Sequence, residues 1–158
     1  MNADDVFRYG HLTVLQAIDG LAGSDWETPG VCGVWSARNV LAHLGSYELA
    51  SGDVFAMILG QSETPTLDLM LSQGAAFNDG QVAQRASQSA SEKLAEYTRA
   101  HERAAALLAQ IPLDQRRQTG LLPWYGTEYD LEDLLTYLSY GHKREHSAQI
   151  DAFRSRQS

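Results

Sequence analysis

Cysteine is almost missing from this sequence: Cys32 is the only one among 158 residues. That excludes an intramolecular disulfide and any multi-cysteine zinc or iron-sulfur site, and it fits a reducing compartment. Long apolar runs are missing too. No stretch of about 18 or more apolar residues occurs, and the opening MNADDVFRYG carries acids where a secretory signal carries basic and then apolar residues. A cytoplasmic location without membrane insertion is therefore expected. Positive charge is in deficit, with 12 Lys plus Arg against 20 Asp plus Glu and a formal net charge of -8. The summed field repels phosphate backbones and anionic lipid, so neither nucleic acid nor a membrane surface is an expected partner. The nearest basic cluster, Arg116 and Arg117, reads as a solvated helix end. Also lacking are any β-alternation long enough for a strand and any internal repeat.

What is present is an ordinary globular mixture, 44% hydrophobic and 20% charged, in a chain long enough to bury a core without staples. One domain over residues 1–158 is expected. Residues 3–22 place Val6, Leu12, Leu15 and Ile18 at helical spacing and stop at Gly23. A second helix starts after Ser36, a natural N-cap, and carries Val40, Leu41, Leu44, Tyr47, Val54 and Phe55 to Gly60. Gly52 inside it costs about 1 kcal/mol relative to alanine. Residues 61–89, interrupted by Pro65, Gly74 and Gly80, read as a long connection with one short helix, and such connections are often functional. SEKLAEYTRAHERAAALLAQI forms a third helix closed by Pro112, and Asp130 caps a fourth that spans roughly 40 Å at 1.5 Å per residue. The pattern predicts an all-α four-helix bundle with long connections, its first two helices antiparallel neighbours.

The five histidines are the informative polar residues. His142 and His146 are four residues apart, on one face of the last helix, within a ladder of Leu138, His142, His146 and Ile150. His43 lies on the apolar side of the second helix, between Val40 and Leu44. A single histidine on an apolar face is more often a hydrogen-bonded core residue than a ligand. Three inward imidazoles from two helices could instead coordinate one Zn²⁺, Ni²⁺ or similar cation and leave a position open for water or substrate. His101, within the charged run YTRAHERAAA, reads as solvent-facing, and His11 as structural. Cys32 reads as inert. Of the nearby carboxylates, Glu145 could act as general base or as a partner to a ligand, and Glu48 lies five residues after His43; a solvated helix face is an equal reading for both. Trp35, Tyr47, Trp124 and Tyr125 could wall a substrate pocket or plug the bundle ends, with LPWYG the best pocket segment because it precedes the helix of His142 and His146.

Three stretches together resemble the DinB/YfiT-like superfamily of four-helix metalloproteins, which includes the N-terminal domains of mycothiol-dependent maleylpyruvate isomerases and the ClbS/DfsB-like proteins. GVWSARNVLAHLGSYE is similar to the segment carrying the first ligand, here His43. FNDGQVAQRASQSASEKLAEYTRAHERAAALL resembles the Asn-containing connection and third helix. YGHKREHSAQIDAF is similar to the closing motif, which places the second and third ligands on His142 and His146. The resemblance implies a divalent metal, often nickel or zinc, and a homodimer. It implies a metal-dependent enzyme acting on an electrophilic small molecule in detoxification or stress response, as a thiol-dependent transferase or isomerase or as a hydrolase. A low-molecular-weight thiol is the implied cosubstrate. A non-enzymatic protein that binds a small molecule or metal in the same cavity for protection is the alternative. A bifunctional isomerase carries a further domain after the bundle, and Ser158 follows His146 by only 12 residues, so the maleylpyruvate reaction itself is not expected.

Overall fold

The computed structural model describes residues 2–158, and among them there is no strand, only an isolated bridge between Cys32 and Trp35. Four long rods form the expected bundle. The first is α1 (Ala3–Ile18), capped by Asn2, whose side chain accepts from the Asp5 N–H. It ends four residues earlier than the apolar pattern suggests, because Asp19 turns extended and Gly20 adopts φ 68°. The second rod is α2 (Ala37–Ile58), opened by a reciprocal Ser36–Asn39 capping box.

The long connection holds two short helices where one was expected, α3 (Pro65–Gln73) and α4 (Ala76–Gln84). α5 (Ala90–Leu108) is the third rod and opens with a Ser89–Glu92 capping box. The following loop includes a further turn, α6 (Leu113–Arg116). Arg116 there is buried, not solvated: it donates to the Leu108 and Ile111 carbonyls and pairs with Asp4 at 2.7 Å. It ties the α6 turn to the start of α1.

The fourth rod departs most from its sequence reading. It begins as α7 (Leu131–Leu135), capped by Asp130, widens into π-helix over Thr136–Gly141, and resumes as α8 (His142–Gln157). The π turn lies where α1 comes closest. A Cβ on Gly10 would collide with the Ser139 carbonyl oxygen, so only glycine admits this approach. Gly52 is less constrained: a Cβ there would meet the Arg103 guanidinium on α5, the mobile end of a half-exposed side chain.

Contacts fix the topology. Residue pairs Gly45–Tyr97, Glu48–His101 and Gly52–Ala104 advance together, so α2 and α5 run parallel, which requires the long crossover between them. α1 runs parallel to the fourth rod, from Gly10 beside Ser139 to Ala17 beside Arg154. The first two long helices are thus antiparallel but stand at opposite corners of the bundle instead of side by side. They meet only across its centre, where the Phe7 and Phe55 rings pack at 5.6 Å.

The core divides into two apolar clusters, one around Phe7, Phe55, Leu108 and Leu135, the other around Val14, Leu41, Ile150 and Phe153. Between them α2, α5 and the fourth rod contribute buried polar groups, including His43, Glu48, His101, Lys143 and His146, and α1 adds the half-buried His11. That polar layer holds the chemistry. No helix of the described residues is long and apolar enough to cross a membrane.

Candidate metal centre

α2 and α8 cross antiparallel at the polar layer, bringing Tyr47 against His142 and His43 against His146. His43 Nε2 lies 2.9 Å from His142 Nε2, which lies 3.1 Å from His146 Nε2. One nitrogen from each ring falls within 4.8 Å of the others. His43 and His146 are buried and His142 is half-buried.

The donor set suits a cation. Gln149 Oε1, 2.8 Å away, accepts from His146 Nδ1, which fixes the proton there and leaves an Nε2 lone pair aimed into the cluster. Three converging nitrogens cannot all satisfy one another with the single proton each neutral ring carries, and His43 Nδ1 is itself buried without a partner. A tetrahedral Zn²⁺ with Zn–N near 2.0–2.1 Å would separate its ligand nitrogens by about 3.3 Å, a few tenths of an ångström wider than the spacing found. Three histidine nitrogens from this group could therefore hold a metal ion.

Electrostatics favours the same form. Burial, reinforced by the neighbouring imidazoles, lowers the pKa of His43 to about 3 and that of His142 to about 4. Burial also lowers His146, opposed by Gln149 and by the charge of Glu145. The rings are thus neutral at neutral pH, the state a metal requires of its ligands.

Trp35 tilts against His43 at 5.1 Å, and Tyr47 stacks edgewise on His43 at 4.8 Å while donating to Asn78 Oδ1. Tyr47 also lines a cavity of ≈ 160 Å³, walled as well by Trp124, Tyr125 and Tyr137. Tyr47, Trp124 and Tyr125 thus share one cavity, and Trp35 stands apart from it. Glu145 is exposed and makes no hydrogen bond to the three histidines, reaching His146 by charge alone.

Glu48 and His101 are not on solvated faces as their sequence surroundings suggest. Glu48 is 1% exposed and pairs with Lys143 through one oxygen and with His101 Nδ1, at 3.0 Å, through the other. Burial pushes its carboxyl upward, but Lys143 and His101 together outweigh that and hold it below the ordinary carboxylate range. His101 stacks between Phe7 and His11, and His11 Nδ1 bonds the Tyr97 hydroxyl at 3.1 Å. Burial lowers the His11 pKa to about 4. Lys143, Gln149 and Asn78 were not singled out by sequence. A signal existed for Lys143, which joins His146, Ile150 and Phe153 on a ladder of three- and four-residue steps.

With the geometry in hand, comparison with known families adds one match: the model for the mycothiol maleylpyruvate isomerase N-terminal domain covers residues 8–136. His43 lies within that span, and His142 and His146 follow it. No curated protein and no solved structure matches the chain significantly.

Proposed function

The chain belongs to the mycothiol maleylpyruvate isomerase N-terminal domain family, and from that premise we propose a metal-dependent enzyme that adds a small thiol or water to an electrophilic small molecule. His43, His142 and His146 hold one divalent cation, zinc or nickel. A cation so held supplies Lewis-acid activation and lowers the pKa of a thiol or water beside it. The observation that carries this reading is the convergence of three neutral imidazole nitrogens at 2.9 and 3.1 Å from two helices.

The surrounding residues have definable tasks. Gln149 holds the His146 tautomer, and Trp35 and Tyr47 fix the His43 ring from two sides. Three histidines leave at least one tetrahedral position open. Tyr47 touches both the histidines and the aromatic cavity where a substrate can rest. Thiol dependence is taken from the family's description.

One observation favours a second reading, a protein that sequesters a small molecule without turning it over. Glu48 is committed to Lys143 and His101, and Glu145 is exposed, so neither carboxylate presents itself as a base. Turnover of excess substrate separates the two readings.

Elemental analysis of untagged protein tests the shared premise, with one zinc or nickel per chain expected. His142→Ala should lose stoichiometric metal, and a small thiol added to cobalt-substituted protein should produce sulfur-to-metal charge-transfer absorption. Full occupancy in His142→Ala would overturn the ligand assignment.

A further inference from the structure

The fourth rod carries one residue more than an unbroken α-helix needs. Around an ideal wheel of 3.6 residues per turn the buried residues of α7 centre near Leu131, and the five buried residues of α8, Lys143 and Ile150 among them, centre about 100° further on. An offset of that size is one residue. The π turn over Thr136–Gly141 absorbs it, with the His142 N–H reaching back five residues to the Tyr137 carbonyl, so both halves of the rod bury the same face. Polar Lys143 and Ser147 carry most of the offset, which hides it from a hydrophobic pattern.

The extra residue decides where the histidines point. Measured from the buried face of α7, an unbroken helix would set His142 and His146 about 50° to one side. The π turn carries the pair about 50° to the other side, where His43 of α2 lies 2.9 Å from His142. The same step brings Lys143 from the solvent flank to the interior, 1% exposed and paired with Glu48.

The turn rests on Gly10 of α1. A Cβ there would stand 1.9 Å from the Ser139 carbonyl oxygen and 3.2 Å from Lys143 Cδ. Ser139 lies within the π turn, and Lys143 directly follows His142. The nearer obstacle is backbone, which cannot swing aside as a side-chain end can. Restoring ordinary contact moves the rod by more than about 1 Å, whereas ligand positions matter to about 0.2 Å.

We propose that Gly10 is a positioning residue of the histidine cluster: by admitting the Ser139 carbonyl it holds the fourth rod in its π register and so aims His142 and His146 at His43. The inference rests on the reading of that cluster as a metal centre, and it adds a residue of α1, a helix that supplies none of the three histidines, to the parts that set its geometry.

Zinc affinity of untagged full-length protein, measured by competition with a chromophoric chelator, tests it, with cobalt absorption as the report on ligand geometry. Gly10→Ala should lower zinc affinity at least about tenfold and alter the cobalt spectrum. Gly45 is the control: it lies two residues from His43, but a Cβ there would meet Tyr97 at 3.8 Å, an ordinary contact. Gly45→Ala should therefore keep affinity within about twofold of the wild type. If Gly10→Ala is less stable yet binds zinc as the wild type does, with an unchanged cobalt spectrum, Gly10 is a packing residue only and the proposal is overturned. A crystal structure of zinc-loaded wild type supplies a second arm that does not require the variant to fold. There the His142 N–H should still reach the Tyr137 carbonyl, and a fourth rod that becomes continuous α-helix on loading overturns the proposal as well. Wild-type protein that takes up no zinc sinks the metal centre itself, whereas equal zinc affinity in wild type and Gly10→Ala sinks only the role given to Gly10.

Discussion

His43, His142 and His146 meet nitrogen to nitrogen at 2.9 and 3.1 Å, whereas His101, in the same polar layer, meets the Glu48 carboxylate at 3.0 Å. Both groups draw on α2, and only the half-buried His142 and His11 among them reach toward solvent. The first has lone pairs in excess and no charge to answer them. The second is a closed circuit in which Glu48 answers Lys143 and His101, and His11 stacks on His101 at 3.7 Å. Residue type alone therefore does not separate a candidate ligand from a histidine paired within the fold; the neighbour facing each ring nitrogen does. One side of the layer is a set of donors that could hold a cation from outside, and the other is paired within the fold.

The largest expected effect comes from breaking the closed side. Glu48→Ala leaves the Lys143 ammonium buried without its partner, and removing one member of a buried ion pair costs about 3–5 kcal/mol. Chemical denaturation of metal-free protein should show a loss of that size. The double replacement Glu48→Leu with Lys143→Met should recover most of it, because a well-packed apolar pair is often as stable as the ion pair it replaces. Equal destabilisation in the single and double variants would mean that Glu48 acts through shape and not charge. In the same assay His142→Ala should change metal-free stability far less than Glu48→Ala, since it removes an unanswered lone pair.

A smaller effect sharpens the open side. Gln149→Leu keeps volume but removes the acceptor that holds the His146 proton on Nδ1. Loss of such an outer partner typically lowers metal affinity 10–100-fold. Competition with a chromophoric chelator should register that drop while the metal-free unfolding midpoint barely moves. An unchanged affinity would show that His146 finds its tautomer without Gln149.

The contrast between the two sides also explains what was legible in the sequence. Capping residues Ser36 and Asp130 mark helix starts through chemistry local to one turn, so both were readable. His43, His142 and His146 were readable because they sit amid leucines at helical spacing. His101 was not: Arg99, Glu102 and Arg103 surround it in sequence, although Tyr97, Ala104 and Leu108 place it on the buried side at steps of four, three and four. Glu48 and Lys143 were hidden by the same habit of reading a charge as solvated, when each is buried because the other is. The π turn was hidden for a different reason, since it coincides with the contact of Gly10 on the Ser139 carbonyl, a tertiary event that no periodicity within the last helix encodes. The corner arrangement of α1 and α2 likewise depends on the route of the long crossover, which its length permits but does not dictate.

The smallest expected effect is in acid, and it concerns metal affinity. Three exposed imidazoles titrating near 6.5 would be mostly protonated at pH 5.5, and competition from protons would weaken binding about a thousandfold relative to pH 7.5. In this cluster burial places His43 at about 3 and His142 at about 4 and lowers His146 as well. His43 and His142 therefore have almost no bound protons to displace at pH 5.5, and with His146 lowered as well affinity should change by less than about tenfold across that interval. Folding stability behaves differently. The unfolded chain takes up protons near pH 6.5 that the folded histidines refuse, so stability of the metal-free protein is full above that value and is lost as pH falls toward 4. His11 on the closed side, at about 4, adds to this loss, and Glu48, held low by Lys143, adds its own only further into acid. Cobalt absorption titrated at pH 7.5 and 5.5, with far-ultraviolet dichroism confirming that the chain is still folded, reads the two behaviours separately. A thousandfold weakening in protein that remains folded would mean that the imidazoles are accessible to solvent and that the open side is not the dry cluster described.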